Sequence, residues 1–433
     1  MEIITKNNIK KYSTYKNSGV EWLGEIPEHW EVKKFKHIFK EKKITHNIKL
    51  NCGSISFGKV VFKDDEKVPI STKKSYQVLN KGEFLINPLN LNYDLISLRI
   101  ALSDKDVVVS SGYIIIQNIT ELSKNYYKWL LHIFDVTYMK TLGSGVRQTL
   151  SFTHVTNSKL VVPPLSEQTK IAEFLDDKTK KIDEAIAIKT QQINLLKERK
   201  QILIHKAVTR GLDTNVKLKN SGVEWIGEIP VGWETIKLAI LIEKYDLGVD
   251  YNSSFISDGI PIIKMGNIGR GKIDLKKIEY LQINKKINSK ILLNENDFLF
   301  NTRNSYELVG KVTLWRNELP KATFNLNILR IKFTKIIDVF FMNFIFNSER
   351  TLSVLKLISK GTTNVSAIYF KDLSKLKFPI PPLSEQKEIS SYIEKSSEKI
   401  ATAIGLKSEE IEKLKEYKSS LINSVVTGKV RVC

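Results

Sequence analysis

The sequence has little cysteine and no long apolar run. Cys52 and Cys433 are its only cysteines and lie far apart, so no disulfide framework and no cysteine-ligated metal site is expected. No apolar stretch approaches the roughly 18 residues that a membrane-spanning helix needs. The first residues, MEIITKNNIKK, lack the apolar segment of a signal peptide. These absences predict a cytoplasmic protein that does not contact a membrane.

The sequence also lacks recognisable catalytic motifs. It contains neither a P-loop nor a strand-bound G-x-G-x-x-G, and its six histidines show no metal-ligand spacing. The stretch Asn87–Asn90 reads NPLN. It lacks the second proline and the aromatic residue with which adenine methyltransferases hold a flipped base. We therefore expect no catalytic residue, no metal site and no cofactor bound by this chain.

The abundant feature is positive charge. The chain of 433 residues carries a formal charge of +21, with 68 lysines and arginines against 47 acidic residues. One interpretation is that lysine-rich helices are simply solvated. The other is that the protein binds a polyanion, most often a nucleic acid.

The chain contains the same framework twice. Lys16–Pro27 reads KNSGVEWLGEIP, and Lys219–Pro230, 203 positions later, reads KNSGVEWIGEIP. Val162–Gln168 reads VPPLSEQ, and Ile380–Gln386 reads IPPLSEQ. Two unlike inserts, at about 31–160 and 234–378, separate these near copies. A repeat of this length indicates a duplicated module of one domain and one helix, with inserts that recognise two different targets.

Both inserts are predicted to be mixed α/β domains. Short runs rich in Val, Ile, Phe and Tyr alternate with Gly, Asn and Asp turns, which is typical of strands. Helical periodicity predicts one amphipathic helix in each insert. The predicted strands include 107–109, 113–116, 260–264 and 297–300, and the predicted helices are 126–139 and 339–358.

Each PPLSEQ copy is predicted to open a long helix. Ser166 is the expected N-cap, and a helix to Thr209 has about 44 residues and a length of roughly 66 Å. Apolar residues recur with a period near 3.5, as in coiled coils. The predicted seam consists of Ile171, Leu175, Ile182, Ile186, Ile193, Leu196 and Leu203, and of Ile389, Ile393, Ile400, Ile404, Ile411, Leu414 and Leu421.

The two helices are expected to pair with each other. Their stripes match at all seven positions, so antiparallel pairing within the chain would bury both and give an approximate two-fold axis. The alternative is that each helix packs against another protein. The predicted fold is α+β, with two mixed α/β domains separated by two long antiparallel coiled-coil helices.

The inserts offer side chains suited to DNA. Arginine pairs well with guanine, asparagine and glutamine pair with adenine, and glycine-containing loops bring backbone amides near phosphates. Each of these residues taken singly is also compatible with an ordinary surface loop. The candidates are Asn87, Asn90, Asn92, Tyr93, Arg99, Ser144, Arg147, Gln148, Lys264, Asn267, Arg270, Lys272, Asn301, Arg303, Asn304, Thr362, Thr363 and Asn364.

These motifs together resemble the specificity (S) subunit of type I restriction-modification systems. The likeness rests on the twin GVEW-x-GEIP and PPLSEQ segments and covers about residues 16–430. The resemblance implies target recognition domains that each read one half of a bipartite double-stranded DNA site. The implied limits are an arm at 1–15, recognition domains at 16–161 and 213–379, and conserved spacer helices at 162–212 and 380–430.

The resemblance further implies a non-catalytic subunit with partners. Two methyltransferase (M) subunits would dock on the helices and methylate adenine, and two restriction/translocase (R) subunits would complete the complex. S-adenosylmethionine, ATP and Mg²⁺ are then expected on the partner subunits and none on this chain. Three alternatives stay open: a self-contained methyltransferase or nuclease, a coiled-coil scaffold without a DNA role, and a specificity subunit whose partners are lost or encoded elsewhere.

Overall fold

The computed structural model describes residues 10–89, 98–142, 150–256, 259–281, 289–362 and 364–432. The chain divides into two units. Unit 1 comprises Met1–Lys189 and Glu409–Cys433, and unit 2 comprises Thr190–Ser408. Each unit therefore contains one insert together with part of each long helix.

Unit 1 contains twelve short strands and the first four helices among its described residues. The 3-10 helices are Phe35–His37, Asp65–Lys67 and Met139–Thr141. The strands are β1 (Tyr15–Asn17), β2 (Glu25–Pro27), β3 (Glu31–Lys34), β4 (Phe39–Glu41), β5 (Gly53–Ser56), β6 (Lys59–Phe62), β7 (Gln77–Leu79), β8 (Phe84–Ile86), β9 (Ile100–Leu102), β10 (Val107–Val109), β11 (Ile114–Asn118) and β12 (Lys159–Val162). The helices are α1 (Ile70–Lys74), α2 (Lys124–Thr137), α3 (Phe152–Thr156) and α4 (Leu165–Arg210), which continues into unit 2.

Unit 2 repeats this plan with fifteen short strands among its described residues. One 3-10 helix covers Ser289–Ile291. The strands are β13 (Leu218–Asn220), β14 (Glu228–Pro230), β15 (Glu234–Lys237), β16 (Ile242–Leu247), β17 (Ser253–Ser254), β18 (Ile260–Ile263), β19 (Glu279–Leu281), β20 (Phe298–Asn301), β21 (Arg303–Asn304), β22 (Val312–Leu314), β23 (Thr323–Phe324), β24 (Ile328–Phe333), β25 (Lys360–Gly361), β26 (Ser366–Ala367) and β27 (Lys377–Ile380). The helices are α5 (Leu238–Leu241), α6 (Val339–Phe346), α7 (Glu349–Ile358), α8 (Phe370–Leu373) and α9 (Leu383–Val426), which belongs to unit 1 from Glu409 onward.

The centre of each unit is a four-stranded antiparallel sheet. Its order is β4-β11-β8-β9 in unit 1 and β16-β24-β20-β22 in unit 2. A second antiparallel pair, β3-β12 or β15-β27, joins the start of each insert to its end. One helix, α2 or α6, packs its apolar side chains into the same core as the central sheet. The predicted α+β fold with two mixed domains is confirmed.

The second amphipathic helix differs from the prediction. The sequence predicts one helix over 339–358, whereas the structure has α6 and α7, separated at Asn347 and Ser348. The amide Nδ2 of Asn347 donates to the carbonyl oxygens of Asn343 (2.9 Å) and Val312 (3.3 Å). The buried Ser348 hydroxyl donates to the Ile345 carbonyl at 2.8 Å. These polar side chains end α6, although the apolar pattern continues across the break.

The start of the first long helix also differs slightly. Ser166 is the predicted N-cap, but α4 begins at Leu165. The backbone N–H groups of Glu167 and Gln168 both donate to the Pro164 carbonyl, at 2.9 and 3.0 Å. Pro164 therefore holds the N-cap position, and Ser166 lies in the first helical turn.

The repeated motifs form the same clasp in both units. Trp30 is buried and its indole N–H donates to Glu167 at 3.0 Å, and the indole N–H of Trp233 donates to Glu385 at the same distance. In unit 1, Glu167 also accepts from the Tyr12 hydroxyl at 2.9 Å. The identical residues of the two framework copies thus hold each long helix against the strands that open its domain.

The glutamine of each PPLSEQ segment provides a second attachment. The Gln386 side chain is buried and accepts from the Asp338 backbone N–H (2.8 Å). Its amide N–H donates to the carbonyl oxygens of Ile336 and Pro381, both at 2.9 Å. Gln168 accepts from the Ser123 N–H at 2.9 Å and donates to the Pro163 carbonyl at 2.9 Å. Each glutamine therefore joins the start of a long helix to the N-cap of the domain helix.

In unit 1 the two long helices run antiparallel. Asp183 of α4 bonds Lys418 of α9 at 2.7 Å, and Lys189 bonds Glu410 at 2.5 Å. The residue numbers rise along α4 while those of its partners fall along α9. In unit 2, Lys407 of α9 donates to Gln192 of α4 at 2.7 Å.

The predicted seam positions all lie away from solvent to some degree. Ile171, Leu175, Ile182, Ile389, Ile393 and Ile411 are buried. The half-buried positions are Ile186, Ile193, Leu196, Leu203, Ile400, Ile404, Leu414 and Leu421. Within unit 2, Ile389 and Ile393 of α9 share one core with Ile204 and Val208 of α4.

Candidate nucleic-acid interface

A buried acid begins the central strand of each domain. The stretch LNKGEFLIN at 79–87 corresponds to LNENDFLFN at 293–301. Glu83 accepts from the Asn80 backbone N–H at 2.7 Å and pairs with Lys42 at 2.7 Å. Asp297 accepts from the Asn294 N–H at 2.9 Å and pairs with Arg330 at 3.1 Å. Because both carboxylates are paired within the domain, they close the turn before the strand and are not available to a ligand.

An asparagine ends the same strand in each domain and sets the direction of the loop that follows. The Asn87 side-chain oxygen accepts from the Leu89 N–H at 3.0 Å. The Asn301 oxygen accepts from the Arg303 N–H at 3.2 Å. This Asx turn is the local reason why the loop leaves the sheet at the same place twice.

In each domain, a hydrogen bond joins residues that flank the two predicted loops. In unit 1, the backbone N–H of Leu150, which follows the 143–148 segment, donates to the Pro88 carbonyl at 2.9 Å. In unit 2, the N–H of Ile368, which follows the 360–364 segment, donates to the Thr302 carbonyl at 2.8 Å. Segments that are about 60 residues apart in sequence therefore meet beside the central strand in both units.

In unit 2 these loops form a small three-stranded sheet. Its order is β21-β26-β25, and Ala367 of the middle strand lies opposite both Arg303 and Lys360. Thr362 and Asn364 follow β25, and both are exposed. Arg303 is also exposed, so exposed candidates from two loops lie in or directly beside this sheet.

The 264–272 turn joins the same region. The Arg270 guanidinium donates to the Glu307 carbonyl at 3.3 Å, and the Asn301 amide donates to the Met265 carbonyl at 3.2 Å. The 264–272 turn thus contacts the stretch that contains the Asn301, Arg303 and Asn304 candidates.

Several candidates are used inside the fold instead. Asn267 is buried, and its amide donates to the carbonyls of Asp274 and Lys277 at 2.9 Å each. Asn301 is fully buried, and Lys264 pairs with Glu279 at 2.5 Å. Asn87 and Asn304 are half-buried, and the Asn304 oxygen accepts from the Ser305 N–H at 2.9 Å.

Arg99 is the clearest case of a candidate withdrawn from the surface. Its side chain is 2% exposed, and its Nε lies 3.2 Å from the Asp135 carboxylate on α2. The Arg99 backbone N–H donates to the same carboxylate at 2.5 Å. We therefore place Arg99 among the residues that hold the loop, since its guanidinium does not reach solvent.

The exposed candidates in the described residues are Arg270, Lys272, Arg303, Thr362 and Asn364. Seven other candidates lie outside the described residues. They are Asn90, Asn92, Tyr93, Ser144, Arg147, Gln148 and Thr363. All of these residues were predicted from side-chain type alone. Among the described candidates, burial separates those that can contact a ligand from those that cannot.

Lys311 is a residue that the sequence reasoning missed. It makes no ion pair with any described residue, and it is half-buried. Burial, and next the positive charge of Arg270, lower its pKa. Its carbonyl accepts from the Asn301 N–H at 2.8 Å, as the Arg99 carbonyl accepts from Asn87 in unit 1. The internal repeat could have identified it, because it occupies the position of Arg99.

A groove of about 250 Å³ lies next to the same sheet in unit 2. Its lining includes Thr302, Arg303, Tyr245 and Tyr369. Tyr245 stacks on Phe370 with ring centroids 3.8 Å apart. Exposed cationic, amide and aromatic groups together make this surface suitable for contacts to phosphates and bases.

The described residues contain no group of His, Cys, Asp or Glu side chains arranged to hold a metal ion. None of the described helices is both long enough and apolar enough to cross a membrane.

Comparison with known protein families identifies the framework. The model of the type I restriction modification DNA specificity domain matches this chain twice, at residues 27–198 and 230–413. A protein of Methanocaldococcus jannaschii assigned as the type I restriction enzyme MjaX specificity subunit is 26% identical over 95% of this chain and 96% of its own length. The type I restriction enzyme MjaVIII specificity subunit of the same organism is 28% identical over 64% of this chain and 63% of that protein.

Solved structures show the same fold. A chain from a study of complex assembly and conformational transition of the type I R-M system covers 93% of this chain and 98% of its own length, with a TM-score of 0.69 and 15% identity. The HsdS subunit of Thermoanaerobacter tengcongensis covers 94% of this chain and 98% of itself, with a TM-score of 0.52 and 15% identity. The family model, which matches more than half of the chain, establishes that the chain belongs to the family of type I restriction-modification specificity subunits, which are non-catalytic.

Proposed function

We propose that each unit reads one half of a bipartite double-stranded DNA site. The carrying observation is that residues flanking the same two loops are hydrogen-bonded beside the central strand in both units, through Leu150–Pro88 and Ile368–Thr302. The framework around these contacts is repeated, whereas the loop sequences differ. A constant support with different exposed side chains is what two readers of unlike half-sites require.

The charge of the chain supports a DNA ligand. The net charge of +21 supplies attraction that does not depend on sequence. Arg303 and Lys272 are exposed and make no ion pair with described residues, so each can meet a phosphate or a base without first breaking a bond in the protein. Binding is therefore expected to weaken steeply as salt concentration rises.

The paired helices are proposed to fix the spacing between the half-sites and to dock two M subunits. α4 has 46 residues. In addition to its seam, it exposes Ile188, Leu195 and Ile202, which recur every seven residues and are 55%, 55% and 48% exposed. Such a spacing places three apolar side chains on one helix face, and a face of this kind suits a helix of another protein.

The catalytic steps belong to the partners in this proposal. The M subunits would methylate an adenine in each half-site with S-adenosylmethionine. Two R subunits, with ATP and Mg²⁺, would translocate and cleave unmethylated DNA. This chain would supply only the choice of site and the geometry of assembly.

The proposal is tested by mapping N6-methyladenine in cells that express this chain with its M subunit. We expect an asymmetric bipartite motif that disappears when the chain is deleted. Unchanged methylation on deletion, with the M subunit present and folded, would contradict the proposal. Incubating the purified chain alone with DNA and labelled S-adenosylmethionine tests the alternative of a self-contained methyltransferase, which requires methyl transfer without a partner.

The role of the helices in spacing has its own test. Four residues, about 6 Å or one helical turn, are inserted next to Ile186 and next to Ile404. The non-specific spacer should lengthen by about one to two base pairs, while both half-sites stay the same. A spacer of unchanged length in a folded, active variant would refute this role.

A further inference from the structure

An exposed phenylalanine occupies the tip of a hairpin in unit 1. Strands β5 and β6 pair with Ser56 opposite Lys59, so Phe57 and Gly58 alone form the turn. Both have positive φ angles, 46° for Phe57 and 71° for Gly58. This is the geometry of a type I′ turn. The Phe57 side chain is 82% exposed, the largest exposed fraction among the large apolar side chains of the described residues.

Phe57 is unfavourable at this position by ordinary folding criteria. Asparagine, aspartate or glycine normally occupies the first position of a type I′ turn, because a bulky side chain is strained at positive φ. Exposure leaves the aromatic ring in water and forgoes the stabilisation that its burial would give. A local arrangement that costs stability in both backbone and side chain is often found where a residue serves a ligand.

The hairpin below Phe57 is firmly held. Val60 is buried in a small core with Leu79 and Val107. The Cys52 backbone N–H, directly before β5, donates to Asp65 at 2.6 Å. Gly53 lies so close to Val107 that an added Cβ would come within 2.8 Å of it. The tip is thus presented on a supported hairpin and not on a loose loop.

The tip lies next to the residues that lead into β9. A Cβ on Gly58 would lie 2.9 Å from the Leu98 side chain and 3.7 Å from the Ile100 carbonyl. Leu98 directly precedes Arg99, at the point where the loop after β8 returns to the sheet. Lys59, on the other side of the turn, is exposed and makes no ion pair with described residues. An exposed cation beside Phe57 can therefore meet a phosphate.

The second unit also has an exposed phenylalanine. A parallel bridge joins Cys52 to Val108 in unit 1 and Val249 to Asn325 in unit 2. Phe57 follows Cys52 by five residues, and Phe255 follows Val249 by six. Phe255 is 70% exposed. Phe255 follows β17, which pairs with β19, so its setting differs from the two-residue turn that holds Phe57.

We infer that Phe57 is an aromatic wedge that inserts between stacked bases of the first half-site. This inference rests on the proposed DNA-reading function of unit 1. Apolar side chains that enter a base step partly unstack it and bend the duplex, and the added contact to the protein offsets the unstacking. The rigid hairpin and the pre-set φ angle of Phe57 hold the ring in an extended position before DNA arrives.

The test uses the full chain, without its M subunit, so that base flipping by that subunit cannot contribute. Duplexes carry 2-aminopurine singly at successive positions in and beside the first half-site. Phe57→Asn is the informative variant, because asparagine suits a type I′ turn and should leave the melting temperature unchanged or raise it. Phe62→Thr, which removes a second exposed ring (56%) from the same hairpin, is the matched control.

We expect fluorescence to rise severalfold at one base step with the original chain and with Phe62→Thr, but not with Phe57→Asn. The affinity of Phe57→Asn for the site should fall about tenfold. Equal affinity and equal fluorescence for Phe57→Asn, with sequence-specific binding retained, would overturn the wedge and leave the proposed function intact. An original chain, with or without its M subunit, that shows no sequence preference for any duplex would overturn both.

Discussion

The buried glutamine that follows each long-helix start should control the stability of its own unit. Gln386 makes three hydrogen bonds, to Asp338, Ile336 and Pro381, and its side chain is fully buried. Gln386→Met keeps the side-chain volume but removes every one of these bonds. Gln168→Met is the corresponding change in unit 1, where two bonds are lost.

The magnitudes follow from the groups left without a partner. A buried donor or acceptor that loses its partner costs about 1–3 kcal/mol. In Gln386→Met, the Asp338 N–H and two carbonyl oxygens lose their hydrogen-bond partner. Because the carbonyl oxygens have further lone pairs, we expect the free energy of unfolding to fall by about 3 kcal/mol. Gln168→Met leaves one N–H and one carbonyl, and we expect about 2 kcal/mol.

Hydrogen exchange followed by mass spectrometry measures both changes in the intact chain. Peptides from α6 should exchange faster in Gln386→Met, and peptides from α2 should exchange faster in Gln168→Met, each without change in the other unit. Gln191→Met, on the exposed surface of α4, should change neither. The reasoning is refuted if Gln386→Met costs less than about 1 kcal/mol or loosens both units equally.

Three further changes test particular contacts. Gly428→Ala should lower the melting temperature, because Gly428 has φ 79° and an added Cβ would lie 2.4 Å from Pro27. Gly405→Ala has no atom within 4 Å of the added Cβ and should stabilise α9 by about 1 kcal/mol. A loss of stability in both variants would contradict this account. Arg303→Ala should weaken DNA binding by about 1–3 kcal/mol and relax the sequence preference at one base position, as measured by binding to single-base variants of the site. An equal loss of affinity on all sequences would instead identify a phosphate contact. Burial alone would raise the pKa of Glu167, but hydrogen bonds from His29, Trp30 and Tyr12 outweigh burial and lower the pKa. The ionised Glu167 therefore stabilises the fold at pH values above its unfolded-state pKa, and this stabilisation is lost as pH falls through the folded-state pKa. Urea titrations between pH 6 and pH 3 should show this loss, and Glu167→Gln should reduce it; an equal slope in both would exclude Glu167 as its source.

The repeat made the architecture predictable from sequence. Two copies of GVEW-x-GEIP and PPLSEQ mark the same joints, and the structure shows why these residues recur. In both units, the tryptophan donates a hydrogen bond to the glutamate, and the glutamine joins the start of the long helix to the N-cap of the domain helix. A framework that performs one structural task twice leaves a sequence signal that needs no knowledge of the inserts.

The interface residues were predictable only by chemical type. Asn267, Asn301 and Arg303 have equally suitable side chains, but two of them are buried and only Arg303 reaches solvent. Which of these side chains stays exposed depends on which backbone groups need hydrogen-bond partners after folding, and the local sequence pattern does not indicate this. Phe57 shows the converse case, because an aromatic residue before glycine gives no ordinary signal for a type I′ turn.

Exchanging one insert tests the central claim most directly. Residues 234–378 are replaced by the corresponding insert of another family member, and N6-methyladenine is mapped by long-read sequencing in cells that contain the M subunit. We expect one half-site to change while the other half-site and the spacer are retained. A change in both half-sites would contradict the claim that each unit reads its half independently.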